Sequence, residues 1–278
     1  MSLRVHELVA FAKERHNIWL ARDAGKPKPW TKDDILRKYR FCNVYRELDT
    51  VTIWIRENWR DPNTRDPNLF FNMTIARLIN WPDTLAELGY TKQFDSKRFA
   101  AIVNGREGKA YSGAYIVSTN GNRMNKAEYL AMRVLAPLWL NRGEMAPMKG
   151  ETLQSYHKRL MKYDGLGSFI AAQVVCDVKY ATGSPLYKAL DWHTWAASGP
   201  GSRRGLNRVA GRPVDAPWPE PVWWAQLGEL QKAVAKLWPS KWEPLHAQDL
   251  QNCLCEFDKY ERTRLGEGRP RSTYPGLR

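Results

Sequence analysis

Tyr163-Asp164-Gly165-Leu166-Gly167-Ser168-Phe169-Ile170-Ala171 is the stretch on which the reading of this chain turns. Two glycines one residue apart stand between segments of helical period, Thr152 to Lys162 and Gly167 to Tyr180. A Gly-x-Gly turn in that setting presents its amides outward at a helix N-terminus, where one phosphate fits. A purely structural turn between packed helices is the other reading of the same residues. Charge weighs between them. The 278 residues carry 43 Lys+Arg against 29 Asp+Glu, a net +14, with a pI near 9.7. Such a surplus on a globular chain points to a polyanion, nucleic acid first. Thirteen Trp and 12 Tyr, interleaved with arginine, suit stacking on unpaired bases.

Outward from the turn the helical period continues almost everywhere. Residues 3–22 place Leu3, Leu8, Val9, Ala12, Ile18 and Trp19 on an amphipathic pattern that stops near Gly25, and Thr31 before Asp33 and Asp34 looks like a capped start. Phe41 to Trp59, Phe70 to Ile79, Thr84 to Leu88, Asp95 to Val103, Asn125 to Leu140, Pro185 to Ala197, Pro221 to Leu237 and Leu245 to about Arg262 are further expected helices. Ser112 to Thr119 alone has strand character, at most a small hairpin or an extended loop. Gly199 to Gly211 reads as a basic Gly-rich loop, opened by Gly199-Pro200-Gly201 and entering a helix. The fold class is therefore all-α, a single helical domain over 1–278. An N-terminal subdomain over 1–120 is compatible with the pattern, and a basic tail covers 266–278. Cys42, Cys176, Cys253 and Cys255 lack disulfide or zinc spacing, so reduced, mostly buried thiols and no metal are expected. No apolar run is long enough to span a bilayer and the N-terminus has no signal-peptide core. The cytoplasm, without membrane association, is the expected location.

The pattern at 152–181 resembles the helix-hairpin-helix element, and through it the DNA glycosylase superfamily. There a catalytic aspartate follows the hairpin by a helix and a short loop, the place of Asp191 in Leu190-Asp191-Trp192-His193-Thr194. An N-cap is the plain alternative for that residue. The lysine of lyase-type members is replaced by Ser168 and Phe169, and their four-cysteine iron–sulfur loop is absent. The resemblance therefore implies no Schiff-base strand cleavage.

Four segments resemble a narrower family, the phage amino acid:DNA transferases, also described as α-glutamyl/putrescinyl thymine pyrophosphorylases. They are Phe41-Cys42-Asn43-Val44-Tyr45-Arg46-Glu47-Leu48-Asp49, Gly165 through Tyr180, Gly199-Pro200-Gly201-Ser202-Arg203-Arg204-Gly205-Leu206-Asn207-Arg208, and Cys255-Glu256-Phe257-Asp258-Lys259-Tyr260-Glu261-Arg262. The helical domain of phage hydroxymethyluracil DNA kinases is similar in pattern, but these residues contain no Gly-x-x-x-x-Gly-Lys-Ser/Thr loop. The resemblance implies exchange of the phosphate of 5-phosphomethyluracil in double-stranded DNA for an amine. The donor would be an amino acid, glycine first, or a polyamine, with no cofactor, as one step of the thymidine hypermodification that protects phage DNA from restriction. A glycosylase excising a modified base, or a non-catalytic DNA-binding partner of a hydroxymethyluracil DNA kinase, are the rival readings.

On that chemistry Asp191, Asp49, Arg46 and Asn43 are the candidate catalytic residues. Asn43, Arg46 and Asp49 would share one helix face, Arg46 holding phosphate or carboxylate and Asp49 acting as base or orienter. A simple Arg46–Asp49 ion pair fits the spacing equally. Arg203, Arg204, Asn207, Arg208 and Lys259 are candidates for gripping phosphate, with a solvated basic loop or a surface salt-bridge ladder as the alternatives. Gly165, Gly167 and Ser168 are the expected contacts to the DNA backbone, and the modified base would have to leave the stack.

Overall fold

The computed structural model describes residues 4–113, 115, 117–119 and 121–274. Among them every regular element is helical, as the apolar periodicity predicts, and the β pairing present is an isolated bridge between Tyr39 and Thr273. In chain order the helices are α1 (Val5–Asp23), α2 (Asp34–Lys38), α3 (Thr50–Ile55), α4 (Leu69–Ile79), α5 (Pro82–Leu88), α6 (Ser96–Gly105), α7 (Lys126–Tyr129), α8 (Ala136–Leu140), α9 (Arg142–Met145), α10 (Leu153–Leu160), α11 (Ser168–Lys179), α12 (Pro200–Ala210), α13 (Glu220–Ala235) and α14 (Ala247–Arg264). Widened π turns at Arg56–Arg60 and Leu130–Leu135 extend α3 and join α7 to α8. No described helix is long and apolar enough to cross a membrane.

The chain divides into two compact units, Met1–Asp49 with His193–Arg278, and Thr50–Trp192. The subdomain limit expected near residue 120 falls inside the second of these.

In the first unit, α1, α13 and α14 bury apolar residues at steps of three and four: Val5, Leu8 and Ala12; Trp223, Leu227, Leu230 and Val234; Leu250, Leu254 and Phe257. Each fully buried Leu or Phe contributes about 1.5–3 kcal/mol. The segment 199–211, expected as a loop entering a helix, is helical already from Pro200 and forms α12, closed by Gly211 in the left-handed conformation (φ 65°). Its glycines serve close packing on α14 and not flexibility. A Cβ on Gly201 would lie 2.5 Å from Cys255 Sγ, and one on Gly205 2.0 Å from the Leu254 carbonyl oxygen. Asp33, rather than Thr31, caps α2, accepting from the amides of Ile35 and Leu36 at 2.9 Å. Leu3, expected on the α1 stripe, lies outside the described residues.

In the second unit, α4 is buried along its whole length and α11 packs on it, so its polar residues must find partners inside the protein. The Arg77 guanidinium donates to both carboxylate oxygens of Asp177 at 2.6 Å, to Thr52 Oγ1 at 3.1 Å and to Asn80 Oδ1 at 3.2 Å. With both charges 1% exposed, these extra bonds offset much of the desolvation that a buried ion pair entails.

Two expected helices are absent in the form expected. Phe41 to Asp49 is not helical apart from a 3-10 turn at Arg46–Leu48, and the helix starts at Thr50. Side chains compete with the helix here: Asp49 Oδ1 accepts from the Asn43 amide at 2.9 Å, and Asn43 Nδ2 donates to the Leu48 carbonyl at 2.7 Å. Asn43, Arg46 and Asp49 therefore share no helix face. Pro185–Lys188 is a 3-10 turn, and the chain to Ala197 stays irregular because Asp191 and Trp192 bond to other helices. Of the strand-like stretch, Ala114 and Ile116 lie outside the described residues, and the described remainder forms no strand.

Candidate functional site

The turn between α10 and α11 is built by steric necessity at one glycine and left open at the other. Gly165 has φ +77°, and a Cβ there would meet Val134 Cγ2 at 2.4 Å. Gly167 is extended, caps α11 through its backbone alone, and faces open space. The first amides of α11 therefore have no side-chain cap, which suits them to an external anion. An open groove of about 650 Å³ runs along this turn, lined by Lys162, Tyr163, Gly167, Ser168 and Phe169 among others. Phe169 is 52% exposed and meets Tyr115 edge-on at 4.8 Å, an apolar blade beside the amides. His157 Nε2 lies 2.9 Å from the Ser168 carbonyl and ties the two helices together.

Asp191 is not among the residues lining this groove. Its two carboxylate oxygens accept from the amides of Leu153 and Gln154 at 2.7 and 3.0 Å, capping α10 from a distant point in sequence. The next residue completes the staple. Trp192 Nε1 donates to the Lys179 carbonyl and Lys179 Nζ to the Trp192 carbonyl, both at 3.0 Å. The fully buried ammonium also lies 4.1 Å from the indole centre. Asp191 and Trp192 thus hold the start of α10 and the end of α11. Sequence reasoning missed Lys179, whose only signal is a cation at the end of an otherwise apolar helix.

In the other unit the loop 41–49 lies on α14, and a polar cluster forms there. The Cys42 amide donates to Glu256 Oε2 at 3.1 Å, and Asn252 Nδ2 donates to the Asn43 carbonyl at 3.0 Å. Glu256 Oε1 accepts from Lys259 Nζ at 2.5 Å. Arg15 Nη2 donates to Asn43 Oδ1 at 2.7 Å and to the Phe41 carbonyl at 2.8 Å, which pins the loop from the α1 side. Arg15 is 3% exposed, and its Nη1 has no partner. The cluster is electrically mixed. Enclosure by protein pushes the Asp49 carboxyl up to about 6, against the pull of the Asn43 amide, Arg46 and Arg15. Glu256 raises the Cys42 thiol, although Cys42 itself is exposed. Burial works against the charge on Lys259, but the neighbouring Glu256 prevails and keeps it an ammonium. Arg46 is buried, its amide donating to Asp249 Oδ1 at 3.2 Å and Nη1 to Glu47 at 3.5 Å.

The basic residues of α12 are turned inward. Arg203 donates to Ser198 Oγ and to the Trp218 carbonyl, the latter at 2.8 Å. Arg204 pairs with Asp258 at 3.3 Å and with Asp215. Asn207 Nδ2 holds the carbonyls of Val214 and Ala216 at 2.8 and 2.9 Å. Arg208 binds Asp258 Oδ1 at 2.8 Å and Glu267. At the residues expected to grip phosphate, the cations and the amide thus serve protein acceptors. The structure brings Asn43, Asp49 and Lys259 to one cluster, and Gly165, Gly167, Ser168 and Asp191 to one helix pair. Arg15 was missed, its signal being a charge at a core-facing position of an amphipathic helix.

A family model described as the helical domain of 5-hmdU DNA kinase matches residues 3–269. The chain belongs to that helical-domain family. A 5-hmdU DNA kinase of Bacillus phage SP10 is 30% identical over 222 residues, which cover 70% of this chain and 34% of the relative. The chain thus spans about a third of that kinase's length. No solved structure matches it. The family match takes in the loop 41–49, the α10–α11 turn and α12 to α14 alike.

Proposed function

We propose that this member of the helical-domain family acts in phage thymidine hypermodification, inside the host cell. It transfers an amino acid, glycine first, onto 5-phosphomethyluracil in double-stranded DNA and displaces phosphate. The observation that carries the reading is the meeting of loop 41–49 with α14. The two segments resemble the transferases separately; Glu256 and Asn252 of α14 bond the backbone of the loop, Lys259 pairs with Glu256, and the Arg15 guanidinium of α1 holds the loop at Phe41 and Asn43. In the reaction the amine nitrogen forms a bond to the C5 methylene carbon, the carbon–oxygen bond to phosphate breaks, and the nitrogen loses a proton. Asp49, ionised above about pH 6, takes that proton. Lys259 and Arg46 stand by for the departing phosphate charge. The unpartnered Arg15 Nη1 supports a donor that carries a carboxylate, which favours an amino acid over putrescine. The turn at Gly165, Gly167 and Ser168 binds the DNA backbone, and Phe169 is the wedge that helps the modified base leave the stack.

A second reading is favoured by the comparison itself, since the relative is a kinase of which this chain covers 34% and the family model is that of a helical domain. On that reading the chain is a DNA-binding partner without chemistry of its own. Incubation with 5-phosphomethyluracil DNA and glycine, glutamate or putrescine, followed by digestion to nucleosides and mass analysis, separates the two. A heavier thymidine with glycine is the expected result. Unchanged nucleosides with every amine would support the binding partner, and abasic sites would mean base excision.

A further inference from the structure

The first unit carries a cavity that the proposed chemistry leaves unused. Residues 272–274 run beside residues 38–40: the Arg40 amide donates to the Ser272 carbonyl at 3.0 Å and the Tyr274 amide to the Lys38 carbonyl at 3.1 Å. This lays Tyr274 edge-on against Trp30, ring centres 5.5 Å apart. Trp30 Nε1 donates to the Lys26 carbonyl at 2.8 Å, which fixes the indole. Beside it lies a cavity of about 270 Å³ with Pro29, Trp30 and Leu36 as its apolar walls and Lys28 and Arg37 at its edge. That is just below the usual range for ligand pockets, about 300–1,000 Å³, and enough for one planar base.

The cations around it are arranged by the rings. Arg22 and Lys28 each lie 5.4 Å from the Trp30 ring centre, and Arg40 lies 5.9 Å from that of Tyr274. Arg22, Lys28, Arg37 and Arg40 are all exposed. Arg37 pairs with Asp34, whereas no ion pair is present for Arg22 or Arg40 among the described residues. Flat apolar walls under a cationic edge fit an aromatic ring that carries negative charge, the chemistry of a nucleotide. The cations exceed what one nucleotide needs and continue past the cavity, so a strand fits better than a free nucleotide.

We propose that the Trp30 cavity holds an unpaired nucleotide of a DNA strand, at a place separate from the α10–α11 turn. The proposal rests on the reading that this chain works on DNA, but needs neither amine nor modified base. The test is binding of a fluorescein-labelled oligothymidylate of about eight nucleotides to the full chain, beside an abasic oligonucleotide of equal length. Removing the ring from under a stacked base typically weakens binding about 5- to 100-fold. Trp30→Ala should weaken oligothymidylate binding by that factor and leave the abasic strand unaffected, and Trp30→Phe should restore most of the affinity. Arg22→Ala with Arg40→Ala, at exposed positions, should lower the salt slope by roughly 0.7 for each phosphate no longer neutralised. Equal wild-type affinity for the two oligonucleotides, or no effect of Trp30→Ala, would overturn the proposal. So would saturable binding of free thymidine monophosphate that the oligonucleotide fails to displace. Absence of amine transfer leaves this strand site standing, and unchanged binding by Trp30→Ala leaves the transfer reading standing.

Discussion

Asp49 shows how much one carboxyl can depend on its enclosure. With its pKa raised to about 6, it is ionised at neutral pH yet basic enough to take a proton. The rate of amine transfer is expected to rise about tenfold per pH unit below 6 and to level off above it. Asp49→Asn should abolish that limb and the transfer with it, while DNA binding stays; a mutant profile that keeps the limb would assign the proton to another group. The sign for stability is opposite. A carboxyl whose folded pKa is raised holds its proton in the folded chain between about 3.8 and 6, so the folded state gains as pH falls through that window. Denaturant midpoints of wild type should rise from pH 7 to pH 4 relative to Asp49→Asn. At Gly165 a residue with a Cβ faces both a positive φ and Val134. Gly165→Ala is expected to destabilise by about 1–3 kcal/mol, read by chemical denaturation, and Val134→Ala in the same chain should return part of it.

The helices were legible in the chain wherever burial is one-sided or complete, as in α1, α4, α11 and α14. They were illegible where long-range side-chain bonds override local pattern. The apolar spacing from Phe41 to Trp59 reads as a helix, but Asn43 and Asp49 bond the backbone of their own loop and stop it short. The glycines of α12 look like loop formers until the α14 backbone is seen 2.0 Å from where a Cβ would stand. Gly205→Ala should therefore cost about 3 kcal/mol or more, measured by thermal or denaturant unfolding, far above the gain that alanine brings to an exposed helix. Asp191 was visible as a residue of consequence, but the group it serves, the start of α10, is far away in sequence. Asp191→Ala should cost about 0.5–2 kcal/mol through removal of a cap. If it leaves the unfolding midpoint unchanged and still removes activity, the carboxylate works on substrate instead.

Across the whole molecule, net charge overstates the surface available to DNA. The cluster of Arg203, Arg204 and Arg208 is matched by Asp215, Asp258, Glu267 and carbonyl oxygens, so its charge is neutralised inside the unit. Arg203→Ala with Arg204→Ala is expected to leave the slope of log affinity against log salt unchanged for duplex DNA, while Lys162→Ala at the open groove should lower it by roughly 0.9. A slope that falls with the α12 pair would return those arginines to the DNA interface. The polyanion partner could be argued from composition, but which cations face outward could not, because pairing partners such as Asp258 lie some fifty residues away (Arg208 to Asp258).

The division of the chain has one more outcome, in the order of synthesis. Residues 50–192 are contiguous, whereas the other unit is assembled from 1–49 and 193–278. At about 5–20 residues per second, the ribosome delivers α14 roughly ten to forty seconds after loop 41–49. The opening helix and its loop must wait through that interval with Phe11, Ile18 and Phe41 uncovered. Proteases and chaperones meet this unit half-built, and slowing translation anywhere in the middle of the message would prolong the exposure.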